Sequence, residues 1–128
     1  MESDVKPLIW VASSRKDLKE FPDEVRRVIG YALYLAQTGR KLSNAKPLRG
    51  FGGAGVLEIV EDFEGTTYRG VYTVRLANVV YVLDAFQKKS KKGIKTSKTD
   101  IERVKARLKM AIAIHAQQHD GEKEGEGR

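Results

Sequence analysis

The chain has 128 residues, 41% of them apolar, which fits one small globular core and excludes a disordered chain. It has no cysteine, which excludes a disulfide framework, a thiol nucleophile and a Cys-based zinc site, and fits a reducing, cytoplasmic setting. The formal net charge of +7 favours polyanionic partners. The start, Met1-Glu2-Ser3-Asp4, is acidic with no apolar segment behind it, so it does not read as a secretory signal. No stretch is apolar for long enough to span a bilayer, and no membrane role is expected.

In chain order, Leu8 to Ala12 is a short apolar run predicted as a first strand. Ser13-Ser14 follow as helix caps, with Ser14 and Asp17 spaced as a capping box. A second helix is predicted from Phe21-Pro22-Asp23-Glu24, because proline suits a first turn and acids suit the positive end of a helix dipole. Val25, Val28, Ile29, Ala32, Leu35 and Ala36 recur at helical spacing, and Gly39 ends the pattern. Lys41 to Gly55, rich in glycine and containing Pro47, reads as a loop. Strands are expected over Val56–Glu61, Thr66–Leu76 and Val79–Phe86. The link at Ala77-Asn78 is too short for a parallel crossover, so the last two form an antiparallel hairpin. Ser97 and Asp100 cap a last helix with the apolar stripe Ile101, Val104, Leu108 and Ile112.

This order predicts an α+β domain over residues 1–115, with two N-terminal helices and a C-terminal helix packed on a mainly antiparallel sheet of about four strands. The helices are expected on one face, leaving the other partly open. Residues 116–128, rich in Gly, Glu and Gln, read as a polar, disordered tail.

Charge is unevenly spread. Lys88 to Lys109 holds ten Lys/Arg against two Asp/Glu, whereas the tail from Ala116 holds four acids and two bases. A solvated helix face is the plain explanation of such a run; a field that attracts polyanions is the functional one. Strand alternation puts Tyr68, Gly70, Tyr72, Val74 and Leu76 inward, and Thr67, Arg69, Val71, Thr73 and Arg75 outward. Glu58 has the parity to share the arginine face. Asp84 and Phe86 close the last strand on one side of it, and the basic segment Gln87 to Lys92 follows at once. A cationic concavity on an open sheet suits an RNA backbone, and nearby Tyr and Phe suit base stacking.

These residues resemble a known family. Tyr68-Arg69-Gly70-Val71-Tyr72-Thr73-Val74-Arg75, then Val80 to Ser90, is similar to the phage-derived HigB-like branch of the RelE/ParE toxin superfamily. Lys46-Pro47-Leu48-Arg49-Gly50 and the closing helix with Lys105, Arg107 and Leu108 match as well, so the resemblance covers about residues 8 to 112. It implies the toxin of a type II toxin–antitoxin system, which cuts mRNA in the ribosomal A site without a metal or other cofactor. The 2′-hydroxyl attacks the adjacent phosphodiester while basic side chains stabilise the phosphorane. It implies three partners: ribosome, mRNA and an antitoxin that is a helix-turn-helix DNA-binding protein. Arg69 matches the arginine on the scissile phosphate, and Lys88 and Lys89 match the basic pair after the last strand. Asp84, where many relatives carry His, completes the catalytic candidates. Arg75, Lys46, Arg49, Lys91, Lys92, Phe86 and Tyr72 are the candidates for RNA or ribosome contact. RelE carries a lysine pair on the strand that here reads Val56-Leu57-Glu58-Ile59-Val60, so the base role assigned there has no heir in this chain.

Two rival readings share the fold: a ParE-like poison of DNA gyrase, and a non-catalytic RNA- or protein-binding module with Glu58 and Asp84 pairing the basic residues internally. Other patterns carry less. Gly50 to Gly55 satisfies G-x-G-x-x-G but precedes a strand, so it reads as a loop and not a dinucleotide fingerprint. His115 and His119 share a helix face without a third ligand, which makes no metal site.

Overall fold

The computed structural model describes residues 5–52, 55–88 and 95–126, with side chains described as far as residue 118. The elements are β1 (Leu8–Trp10), α1 (Ser14–Lys19), α2 (Asp23–Gln37), β2 (Ala45–Pro47), β3 (Val56–Phe63), β4 (Thr66–Thr73), β5 (Val80–Lys88) and α3 (Lys98–Glu126). The strands form one five-stranded sheet in the order β1-β5-β4-β3-β2. The predicted hairpin is β4–β5, antiparallel, and β3 extends it on the other side. The α+β reading holds, with one strand more than expected.

The additional strand is β2, and the predicted first strand takes its place as β1. β2 lies inside the predicted loop, pairing Lys46 with Glu58 at the sheet edge, where Pro47 costs no interior ladder bond. β1 runs parallel to β5, with Ile9 opposite Tyr81, and α1 and α2 lie in the long connection such a pair needs.

The sheet is covered on both faces, which corrects the expectation of helices on one face. α1, α2 and the link between them pack one side through Leu18, Phe21, Val25, Ile29, Ala32 and Leu33, against Ile59, Tyr72, Val80 and Val82. α3 packs the other through Val104, Leu108 and Ala111, against Val71, Tyr81 and Leu83. Each Val, Leu, Ile or Phe side chain so buried contributes roughly 1.5–3 kcal/mol. The buried stripe of α3 turns from Leu108 to Ala111, and Ile112, expected in it, is 40% exposed. The helical backbone continues to Glu126, through residues expected as a disordered tail.

Local chemistry explains the joints. Ser97 caps α3 as expected: its Oγ accepts from the Asp100 amide at 3.1 Å and donates to the Asp100 carboxylate at 2.9 Å. At α1 the N-cap is Ser13, not Ser14; Ser14 is buried and donates to the Val82 carbonyl at 3.1 Å, tying α1 to β5. Gly70 has no side chain because α2 leaves no room: a Cβ there would lie 3.0 Å from Ile29 Cγ2. A register shift at Val71/Tyr72 sets Val71 opposite Asp84 and Tyr72 opposite Val82. Leu83 and Asp84 therefore both address α3.

Candidate nucleic-acid site

A cleft of about 700 Å³ opens where the face of β2, β3 and β4 meets the start of α3. β3 contributes Glu58 and Val60, β4 contributes Arg69, and Lys46 with Leu48, Arg49 and Gly50 forms one lip. Lys95 and Thr96 lead into α3, which supplies Lys98, Ile101, Glu102 and Lys105 as the opposite wall. Six basic side chains (Lys46, Arg49, Arg69, Lys95, Lys98 and Lys105) thus line it against two acids, Glu58 and Glu102. The balance favours an anionic ligand.

At the floor, Arg69 is only 1% exposed. A guanidinium so far from water needs a charged or hydrogen-bonded partner. Glu58 supplies it: Arg69 Nη1 donates to Glu58 Oε1 at 2.8 Å. Thr96 Oγ1 donates to the same oxygen at 2.8 Å and accepts from Arg69 Nη1 at 3.3 Å. Register builds this group: Val60 is opposite Arg69 and Glu58 opposite Val71, so Glu58 and Arg69 are diagonal neighbours on one face.

The sequence candidates divide. Arg69, Lys46 and Arg49 meet at the cleft, Arg69 as its floor and the other two exposed at its lip. Lys88 is half-buried on β5 beside it; its Nζ donates to the Lys95 carbonyl and so ties down the segment that carries Thr96. Phe86, opposite Arg69, packs into the α3 core with the Arg103 guanidinium 5.3 Å from its ring. It is a half-buried packing residue rather than an exposed stacking platform. Lys89, Lys91 and Lys92 lie outside the described residues.

Three candidates sit elsewhere. Tyr72 is fully buried under α2, where no base can stack on it. Its hydroxyl finds no partner among the described residues, and burial pushes its pKa up to about 12. Asp84 is 1% exposed and saturated: Arg103 Nε donates to Oδ2 at 2.7 Å, and Arg107 Nη1 to Oδ1 at 2.9 Å. It holds α3 to β5 and does not line the cleft. Arg75 is exposed but falls beyond the end of β4, in a segment whose backbone packs on Gly55, and it too is absent from the cleft. The expectation that Arg69 stands on an open sheet face is likewise corrected: it is 1% exposed, and α3 packs on that side of the sheet.

Sequence reasoning missed Thr96, Lys95, Lys98 and Lys105 as cleft residues. The signal was the basic run from Lys88 to Lys109, whose members could be sorted into wall and solvent only once α3 was placed. The remaining motifs are structural. Gly50, Gly52 and Gly55 take positive φ values of 94°, 65° and 78° in the loop before β3. His115 Nδ1 lies 2.9 Å from the Tyr81 hydroxyl, and the His119 side chain lies outside the described ones. Among the described residues no group of three His, Cys, Asp or Glu is placed to hold a metal ion, and no helix is long and apolar enough to cross a membrane.

Residues 16–109 match the family described as "Phage derived protein Gp49-like". No curated protein sequence matches the chain significantly. Among solved structures, the chain is similar to one chain of the toxin–antitoxin complex RelBE2 from Mycobacterium tuberculosis. That match has 21% identity and a TM-score of 0.44, over 66% of this chain and 93% of the other.

Proposed function

Since this chain belongs to the Gp49-like family of phage-derived proteins, a RelE/HigB-type toxin family, we propose that it is the toxin of a type II toxin–antitoxin system and cuts mRNA on the ribosome. The observation that carries the reading is Arg69 at the floor of a cleft lined by five further basic side chains. The ligand is a single strand of RNA, whose backbone the cationic lips attract and whose scissile phosphate comes to rest over Arg69. The planar guanidinium is a fork whose geometry matches phosphate oxygens, and its bond to Glu58 fixes its orientation. The phosphorane formed by 2′-hydroxyl attack carries more charge than the starting diester. Preorganised cations in a water-poor cleft therefore bind it more tightly, and that difference is the catalysis. Lys46 and Arg49 position the strand, and Lys88 holds the Thr96 segment in place. The site of action is the cytoplasm, with ribosome and mRNA as targets and an antitoxin as the neutralising partner.

A binding-only role is the second reading, and the internal pairs Glu58–Arg69 and Asp84–Arg103–Arg107 favour it. The experiment is induced expression of Arg69→Ala and Arg69→Lys at matched protein levels. The nuclease reading expects both to lose growth arrest, Arg69→Lys because it keeps the charge without the fork. Intact toxicity in both would sink the proposed site.

A further inference from the structure

We propose that the outer face of α2 is the interface of a symmetric dimer, the docking site for a second copy of this chain. The proposal does not depend on the nuclease reading, because α2 packs on the side of the sheet away from the cleft.

Arg27, Gly30, Tyr31 and Tyr34 recur at i, i+3, i+4 and i+7, so they form one stripe along α2. The stripe lies opposite the buried Val25, Ile29, Ala32 and Ala36. All four of its residues are exposed, Tyr31 to 54% and Tyr34 to 48%. Among the described residues no hydrogen bond or ion pair engages the Arg27 guanidinium or either tyrosine hydroxyl, whereas the adjacent Arg26 is held by Asp23.

Gly30 points to what covers this face. A glycine inside a helix destabilises it relative to alanine. Gly70 has Ile29 to account for it, but a Cβ on Gly30 would meet nothing within 4 Å. Nor does Gly30 take the positive φ that glycine alone adopts freely. Neither its own conformation nor packing within the chain therefore requires glycine here. A bare backbone in an exposed aromatic stripe suits the close approach of a second surface.

The stripe is complementary to itself. Two α2 helices packed antiparallel, with the twofold axis between positions 30 and 31, set each Tyr31 into the gap at the partner's Gly30. The same register lays each Arg27 on the ring of the partner's Tyr34, a cation–π contact made twice by symmetry. Towards the helix ends it opposes Glu24 to the partner's Gln37 and Asp23 to the partner's Thr38, so no two like charges meet. The contact is one helix wide, smaller than a standard interface, so the dimer is weak and reversible. It leaves both basic clefts open.

The test is sedimentation equilibrium of the purified full chain from low micromolar to several hundred micromolar. Wild type should pass from monomer to dimer within that range. Gly30→Ala should move two measurements in opposite directions. Its melting temperature at low concentration should rise, because the isolated helix gains propensity, while its dimer should weaken about tenfold or more, because the gap is filled. Arg27→Glu, which removes both cation–π contacts, should weaken the dimer about tenfold or more. Arg15→Glu, an exposed charge reversal on α1, should leave the dimer intact. Wild type that stays monomeric throughout would leave this face to a different partner and overturn the proposal. A dimer that neither Gly30→Ala nor Arg27→Glu weakens would place the interface elsewhere and overturn it as well.

Discussion

Arg107 and Asp84 join the last helix to the last strand of the hairpin, Nη1 to Oδ1 at 2.9 Å, with the carboxylate 2% exposed. Arg107 also donates to the Leu83 carbonyl at 3.1 Å and to Ser13 Oγ at 3.0 Å, so one side chain ties α3 to β5 and to the start of α1. Breaking a buried ion pair by removing one partner leaves an uncompensated charge and costs about 3–5 kcal/mol. Arg103 is 35% exposed and can turn to water, which lowers the expectation here. Asp84→Ala should therefore lose about 3 kcal/mol in urea unfolding. The protein that remains folded should still cut RNA. A loss of stability under about 1 kcal/mol, or loss of activity in folded protein, would contradict a structural role.

Tyr72 offers the opposite effect. Its buried hydroxyl has no partner among the described residues, and such a group costs about 1–3 kcal/mol. Tyr72→Phe should raise stability by about 1 kcal/mol and leave RNA cleavage unchanged. The sign with pH is also set. Burial raises the folded pKa from 10.0 to about 12, so the unfolded chain releases this proton first. The contribution is complete below pH 10 and is lost as pH climbs towards 12. Denaturant melts in that window should show a shallower alkaline decline for Tyr72→Phe than for wild type; identical slopes would contradict the burial argument.

Gly70 tests the contact between α2 and the sheet. An added Cβ meets Ile29 Cγ2 at 3.0 Å, and overpacking of this kind costs about 1–3 kcal/mol. Gly70→Ala should lose stability in that range. Combining it with Ile29→Ala, which removes the clashing atom, should give a loss smaller than the sum of the two single changes. Strict additivity would place the cost elsewhere.

Much of this architecture was legible because its signals are local. The starts of α2 and α3, the stop at Gly39 and the β4–β5 hairpin follow from caps, proline, acids and a short link. Parity alone put Glu58 and Arg69 on one face. What could not be read was what covers that face. The stripe on α3 is equally apolar whichever side of the sheet it meets, so Arg69 was expected on an open, cationic sheet face rather than buried on a cleft floor. Tyr72 shows a different gap: alternation pointed it inward, yet an aromatic ring near a basic face suggested base stacking, and packing against α2 decides for the core. Asp84 depended on the irregularity between Val71 and Tyr72, which no short pattern in the sequence announces. β2, three residues long, is defined by its partner Val56–Phe63 rather than by its own composition.

Lys46 and Arg49 line the cleft while exposed, so they can be changed with little effect on folding. Lys46→Ala with Arg49→Ala should shift the melting temperature little but weaken binding to single-stranded RNA. Each phosphate contact removed should flatten the dependence of log K on log salt by about 0.7. An unchanged salt slope would mean that the strand does not cross this lip.

The most direct measurement of the central claim uses end-labelled mRNA, free and on bacterial ribosomes with an empty A site, with purified protein and a metal chelator present. The account expects cuts only in the ribosome-bound sample, at A-site codons. The new ends should be a cyclic phosphate and a 5′-hydroxyl, and Arg69→Lys should lose them. No cutting in either sample by folded protein, with RNA binding that weakens with salt, would contradict the nuclease reading and leave the cleft as a binding site.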